Sequence, residues 1–353
     1  MAELDEARIE ERYAHLFGKV DGAMTCALGY LGDKLGLYAA LAQHGPATSE
    51  ELARAAGLHE RWVREWLHQQ AAAGVVLRED GRFLLDAESA EIYGTEESGV
   101  FGAGIFEILQ GLLGTVDRLE ASFRTGQGEP YDAFGPLTAR GIERMMGPFF
   151  RSRLVPEVLP ALDGVEQKLR RGAKVADVGC GAGVALGVMA GAYPESSFHG
   201  FDNSRLALGR AQQRSAEHDN LTIHDTTHRR LEEDGSYDLI TTFDCIHDMT
   251  HPTETIAAIR RSLAPDGTWF VADVHGHETF EENLSEQPFS GMFYGFSVLC
   301  CMRAALSTPD GEGLGTFGFH EGVARRMAAE AGFTRFVKHD FENPINDYYE
   351  IRP

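Results

Sequence analysis

The sequence predicts an α/β protein: a Rossmann-like, doubly wound sheet of seven strands, closed by a terminal antiparallel hairpin and preceded by a mainly helical N-terminal domain. Three observations carry this. Beyond residue 172, short runs rich in β-branched and aromatic residues (174–178, 197–201, 221–224, 237–243 and 267–274) alternate with helical stretches, which implies parallel strands with crossover helices on both faces. Two further runs, 333–341 and 345–351, flank a Glu-Asn-Pro turn and must pair antiparallel. Residues 1–92 show helical spacing with one short hairpin.

The chain has 353 residues, 43% of them apolar, enough for about two domains with their own cores. With 32 Lys+Arg against 54 Asp+Glu the net charge is −22, a field that repels nucleic-acid phosphates and anionic lipid, so neither is an expected partner. Five cysteines, none in a C-x-x-C arrangement, indicate neither a disulfide framework nor structural zinc and suit a reduced cytoplasmic setting. The acidic start Met-Ala-Glu-Leu-Asp-Glu is unlike a signal peptide, and the most apolar stretch, 99–116, contains Glu107 and Gln110. A protein that does not span the membrane is expected.

Along the N-terminal domain, apolar positions from 7 to 42 (Leu28, Leu31, Leu35, Leu37, Leu41) give two helices ending at Gly45-Pro46. Thr48-Ser49-Glu50-Glu51 caps a third, Gly57 stops it, and 61–73 forms a fourth carrying Trp62, Trp66 and Leu67. Residues 75–78 and 82–85 around Glu79-Asp80-Gly81 read as a hairpin. Together these make a winged-helix pattern. Its would-be recognition helix sets Glu60 and Glu65 beside Arg61 and Arg64, which cancels the charge needed on phosphates. A dimerising and substrate-capping module suits it better. Residues 93–171 are helical and apolar with a Gly/Pro-rich loop at 126–136, a connector and substrate-cavity layer. The expected boundaries are 1–92, 93–171 and 172–353.

The strongest local signal is Val175-Ala176-Asp177-Val178-Gly179-Cys180-Gly181-Ala182-Gly183, a strand running through a glycine turn into a helix. Such glycines let a ligand approach the backbone and the free N–H groups of the helix start. Nineteen positions after Gly183, Asp202 ends the next strand, where a carboxylate can accept ribose hydroxyls. The spacing Gly-x-Gly-x-Gly departs from the dinucleotide pattern, and Asp177 suits a cation better than a pyrophosphate.

At these residues the sequence resembles the class I S-adenosylmethionine-dependent methyltransferases, whose first motif reads much as residues 177–183 do. The resemblance implies S-adenosylmethionine as cofactor, with Asp177, Gly179, Cys180, Gly181 and Gly183 at its methionine end. It places Asp202 with Asn203 at the ribose, Asp225-Thr226 near the adenine amino group, and Phe243-Asp244 beside the transferring methyl. Asp225 is equally readable as a turn residue. The layout over most of the chain is similar to plant-type O-methyltransferases and related actinobacterial proteins, which are dimers, so a homodimer is expected. No acidic residue here matches those that orient the catalytic histidine of the plant enzymes.

Ile246-His247-Asp248-Met249 follows the fourth strand and resembles the His-Asp-Trp segment that carries the general base in those enzymes. A hydroxyl attacks a sulfonium methyl well once its proton is taken, and His247 stands where that helps; a histidine bonded structurally between strand and helix is the other reading. His247 with His251 and His275 with His277, aided by Asp248 or Asp273, raise a metal alternative, but their loop placement favours no metal. Pro288–Phe296 and Leu299–Met302 are aromatic and sulfur-rich, suited to a flat hydrophobic substrate or to a dimer core. Residues 311–318 read as a mobile connector. The function expected is methyl transfer to a hydrophobic small molecule, mainly on oxygen. A winged-helix regulator with a ligand-sensing domain, or a methyltransferase-like enzyme of another reaction, are the alternatives.

Overall fold

The computed structural model describes residues 4–353. It divides into two compact units: one runs to Gln110 and takes in Arg140–Pro148, and the other holds Gly111–Ala139 with Phe149–Pro353. The 93–171 connector thus contributes to both.

In the first unit, α1 (Glu6–Lys34) begins at Asp5, whose carboxylate accepts from Ala7 N and Arg8 N, and ends with Lys34 in its last turn, matching the helix dipole at both ends. α2 (Leu37–His44), α3 (Ser49–Ala56) with its Thr48/Glu51 capping box, and α4 (Glu60–Ala72) follow. β1 (Leu77–Glu79) and β2 (Arg82–Leu84) pair antiparallel about Asp80-Gly81, both at positive φ, as a primed hairpin turn requires. Phe83 also bridges to Ala47. This is the expected winged helix.

The two tryptophans divide. Trp66 lies in the unit's core with Tyr38, Leu41, Leu52 and Leu67, donating its indole N–H to Leu28 O at 2.9 Å. A Cβ at Gly32 would stand 2.4 Å from its ring, so that close approach needs glycine. Trp62 is exposed. On α4, Arg61 pairs with Glu65 and Arg64 with Glu60, so these arginines are spent within their own helix. Arg144 makes a fork to Asp33 (2.6 and 2.8 Å) and reaches the fully buried Glu107 at 3.2 Å, tying residues 140–148 to α1.

In the second unit the sheet runs in the order β5-β4-β3-β6-β7-β9-β8. β3 (Lys174–Val178), β4 (Ser197–Asp202), β5 (Leu221–Asp225), β6 (Tyr237–Phe243) and β7 (Leu263–Val274) are parallel, and β9 (Asn346–Arg352) runs antiparallel to both β7 and β8 (Arg335–His339). The expected hairpin is present, with its second strand inserted next to β7. Chain order reverses between β3 and β6, so the turns leaving those two strands flank the point where open α/β sheets bind ligands. Trp269, Tyr349, Ile240 and Ile351 belong to the core beneath it.

Residues 311–318 are not the loose connector expected. Glu312 N bonds Thr250 O (2.9 Å), Gly315 N bonds His247 O (3.1 Å), and the Thr253 hydroxyl donates to Glu312 at 2.6 Å. Gly313 and Gly315, at φ +62° and +75°, shape this loop so that its backbone can reach those partners. The aromatic stretch forms short helices, including Ser290–Phe296; Phe293 and Tyr294 pack on Phe317, while Phe289 and Met292 stay exposed. No helix among the described residues is long and apolar enough to cross a membrane.

Candidate active site

β3 delivers the chain into the glycine turn, where Gly179, Gly181 and Gly183 all hold positive φ. Gly179 N and Cys180 N both bond Phe201 O (2.8 and 3.2 Å), which fastens the turn to β4. A Cβ at Gly179 would meet Cys245 at 2.8 Å, whereas nothing lies within 4 Å above Gly181, leaving its backbone open to a ligand. The Val184–Ala192 helix starts at Gly183 with no side-chain cap, so its first N–H groups remain free to bind. Cys180 is buried, and its sulfur lies close to Gly200 and within 3.9 Å of Gly181 O.

Asp202, at the end of β4, accepts from Gly181 N and from Ser204 N, each at 2.8 Å. It therefore holds the glycine turn as well as presenting a carboxylate, and burial pushes its pKa up. Asn203 beside it is exposed. Asp225 stands next to Asp202 across the β4–β5 ladder, but its Oδ1 is taken by Thr227 N and the Thr227 hydroxyl (2.9 and 2.6 Å), the turn geometry anticipated as its other role. Thr226 N bonds Asp202 O at 2.8 Å. Asp177 is buried under the turn, accepts the Thr241 hydroxyl at 2.8 Å, and is pushed up to about 7 by burial.

On the other side of the switch point β6 ends in Phe243, which packs edge-on against Phe150 and Phe270. Asp244 follows at φ +47°, a strained conformation for a non-glycine residue. Its N–H bonds Ala272 O, Asn346 donates to its carboxylate, and burial with Asp273 nearby pushes it up to about 7. The Ile246–Asp248 turn then presents His247, which is buried.

What sequence reasoning missed is the pairing of His247 with Asp273, near the end of β7, a residue it weighed only as a metal carboxylate. Its Oδ1 lies 2.5 Å from His247 Nδ1 and also accepts Val274 N at 2.8 Å, while its Oδ2 is buried without a partner among the described residues. Although no acidic match was expected, this carboxylate fills the role of orienting the histidine. Nδ1–H donates to it, so Nε2 is the basic nitrogen. Burial by itself would lower the His247 pKa; the Asp273 carboxylate and the neighbouring Cys301 outweigh it and hold the imidazole well above its ordinary value. Cys301, bonded by Cys300 and facing His247, is held correspondingly low. A signal was present: Asp273 is the sole acid in the otherwise apolar run 269–274.

The histidines weighed for a metal do not converge. His247 is committed to Asp273 and His275 to Asp347 (3.0 Å), and among the described residues no three His, Cys, Asp or Glu side chains gather as a metal site.

A sheet in this order, with a glycine turn, a strand-end acid and an Asp-held histidine around its switch point, defines the class: a Rossmann-like methyltransferase fold. Residues 169–314 match the methyltransferase-domain family and residues 23–93 the Rv2258c-like winged HTH domain family. The chain thus carries a region similar to a winged-helix domain ahead of one similar to a methyltransferase domain. No curated protein matches it by sequence. Among solved structures, it is similar to a protein of Nostoc punctiforme designated an O-methyltransferase (17% identity, 96% of this chain and 98% of that one, TM-score 0.72). It is also similar to human N-acetylserotonin methyltransferase in complex with S-adenosylmethionine (15%, 100% and 99%, 0.70) and to the mitomycin 7-O-methyltransferase (19%, 99% and 99%, 0.68). At these identities the likeness is one of fold.

Proposed function

We propose that the protein is an S-adenosylmethionine-dependent methyltransferase that methylates a hydroxyl oxygen of a hydrophobic small molecule, with His247 as general base. The observation that carries this reading is the buried Asp273–His247 pair at the strand-end edge that also bears the glycine turn and Asp202. The residues fit the cofactor: open backbone at Gly181, a carboxylate for ribose hydroxyls, and buried acids suited to a cation. When bound, the cofactor supplies an electrophilic methyl on a sulfonium. The chain's own part is to hold the acceptor hydroxyl near His247 Nε2, to take its proton there, and to stabilise the resulting imidazolium through Asp273.

Calorimetric titration tests the cofactor. S-adenosylmethionine should bind and a nicotinamide dinucleotide should not; the reverse order of affinity would contradict the reading. Asp177 and Asp244, both near 7 without ligand, are driven toward ionisation by an arriving cation and release protons. Affinity should therefore rise as pH is raised through about 7 and level off above it. A flat profile between about pH 6 and 8 would show that neither acid senses the ligand.

A homodimer belongs to the same reading. Ile9, Tyr13, Leu16, Val20 and Met24 form an exposed stripe along α1 at three- and four-residue spacing, the pattern of a helix that buries one face against another. Light scattering at micromolar concentration should give twice the chain mass, and Leu16→Glu with Val20→Glu should return it to the monomer. A monomeric wild-type protein would contradict this. The regulator alternative gains nothing from α4, whose Arg61 and Arg64 are paired with glutamates.

A further inference from the structure

The loop that carries Asp202 is held from a distant part of the chain as well as by the glycine turn. Asp202 Oδ1 accepts Ser204 N and Oδ2 accepts Gly181 N, each at 2.8 Å. Ser204 is buried; its hydroxyl accepts Ala207 N at 3.2 Å as the cap of the Arg205–Ser215 helix and donates to Asp132 Oδ1 at 2.5 Å. Asp132 Oδ2 accepts Arg205 N at 3.0 Å, so both oxygens of this carboxylate are spent on the start of that helix, where the dipole favours an anion. The helix already has its own cap in Ser204, and capping alone does not call for a second carboxylate brought from 72 residues away.

The segment that delivers Asp132 is itself fixed. Gly128 N bonds Leu306 O (2.7 Å) and Glu129 N bonds Arg303 O (2.8 Å), and a Cβ at Gly128 would stand 2.0 Å from that Arg303 oxygen. The Arg303 side chain is fully buried, grips Glu129 (Nε to Oε2, 2.8 Å), bonds the Thr115 hydroxyl at 2.9 Å and lies over the Phe134 ring. Arg118 holds the other Glu129 oxygen and reaches Ala133 O at 3.1 Å. The short Met302–Ala305 helix that bears Arg303 packs against the Ile246–Asp248 turn. Residues 128–134 are thus a strap with one end on the helix beside the His247 turn and the other on the loop of Asp202. A loop fastened in this way before a ligand arrives does not have to be ordered by it.

We propose that Asp132 is a positioning residue for the cofactor: it holds the Ser204–Arg205 backbone so that the Asp202 carboxylate stands ready for the ribose hydroxyls, and it acts through that loop alone. This rests on the cofactor reading above. Without the clamp Asp202 keeps its charge, but the Ser204 N–H that fixes its Oδ1 moves with the helix start, and part of the binding energy goes into ordering the loop.

The test is calorimetric titration with S-adenosylmethionine of wild type, Asp132→Ala, Asp202→Ala and the double variant. Asp132→Ala should weaken binding about 5–10-fold, the size of one lost hydrogen bond or ordering contact. Asp132→Asn, which keeps one acceptor oxygen and so one of the two partners, should lose less. In the Asp202→Ala background the same Asp132→Ala change should cost under about twofold, because the carboxylate it positions is gone. An equal loss in both backgrounds would make Asp132 merely structural and overturn the proposal, as would a lowered melting temperature with unchanged affinity. Should Asp132→Ala not fold, Asp132→Asn taken through the same cycle decides by the same criterion. If wild type did not bind S-adenosylmethionine, the cofactor reading itself would fall; if it bound, and Asp202→Ala weakened it with no coupling to Asp132, only this inference would.

Discussion

His247→Gln lowers kcat about 10²–10⁴-fold and leaves S-adenosylmethionine affinity nearly unchanged, the range for removal of a positioned acid–base group. Glutamine keeps polarity and approximate size in a buried position but cannot take a proton. The structure also sets the direction of the pH dependence. An unpaired imidazole would give a rate rising through about 6.5. Here Asp273, 2.5 Å from Nδ1, stabilises the imidazolium and holds the pKa above that value. The base must be neutral to act, so the rate should rise with pH through a point above 6.5 and then level off. Asp273→Asn removes the stabilising charge, so the rise should move to lower pH while kcat falls, because the histidine loses the carboxylate that fixes its tautomer. Near-normal turnover by His247→Gln on the identified substrate would instead mean catalysis by proximity alone, with an acceptor already nucleophilic.

Asp202→Ala weakens S-adenosylmethionine binding by roughly 1.5–3 kcal/mol, about 10–150-fold, the usual effect of losing charge-assisted hydrogen bonds. The value belongs toward the upper end because Asp202 does two things: it offers oxygen to a ligand and it holds Gly181 N and Ser204 N. Asp202→Asn grades the loss: it keeps the side-chain shape and one acceptor oxygen, so it can hold only one of Gly181 N and Ser204 N, which use different oxygens of the carboxylate, and its affinity should fall between wild type and alanine. Calorimetry on the three proteins checks the order. An unchanged affinity for Asp202→Ala would remove Asp202 from the ribose site.

Much of the fold was legible because its signals are local. The glycine turn and the helix after it, Val184–Ala192, stand where the sequence reading put them, since a helix start at a positive-φ glycine is written in neighbouring residues. The order of the last strands was not, because a hairpin can present either strand to β7. In retrospect the choice has a chemical basis: β9 carries Tyr348, Tyr349 and Ile351, all buried, whereas β8 carries Arg335 and Lys338 at the sheet edge. The site shows the same division. Asp177, Asp202 and His247 announce themselves at strand ends, while Asp273 acquires its meaning only when β7 is brought beside His247, a contact that spans 26 residues. Residues 311–318 were misjudged because glycine content reads as looseness when, in a loop with backbone partners, it permits a defined path.

The central claim is methyl transfer from S-adenosylmethionine to a hydroxyl oxygen, with proton removal by His247. Its most direct test is incubation of the wild-type protein with methyl-labelled S-adenosylmethionine and a metabolite extract, followed by mass spectrometry of the products, with His247→Gln run alongside. The account predicts label on the oxygen of an apolar compound in the wild-type reaction and a deep loss of that product with the variant. Binding of the cofactor with no labelled product from any extract fraction, or label appearing equally with His247→Gln, would contradict it.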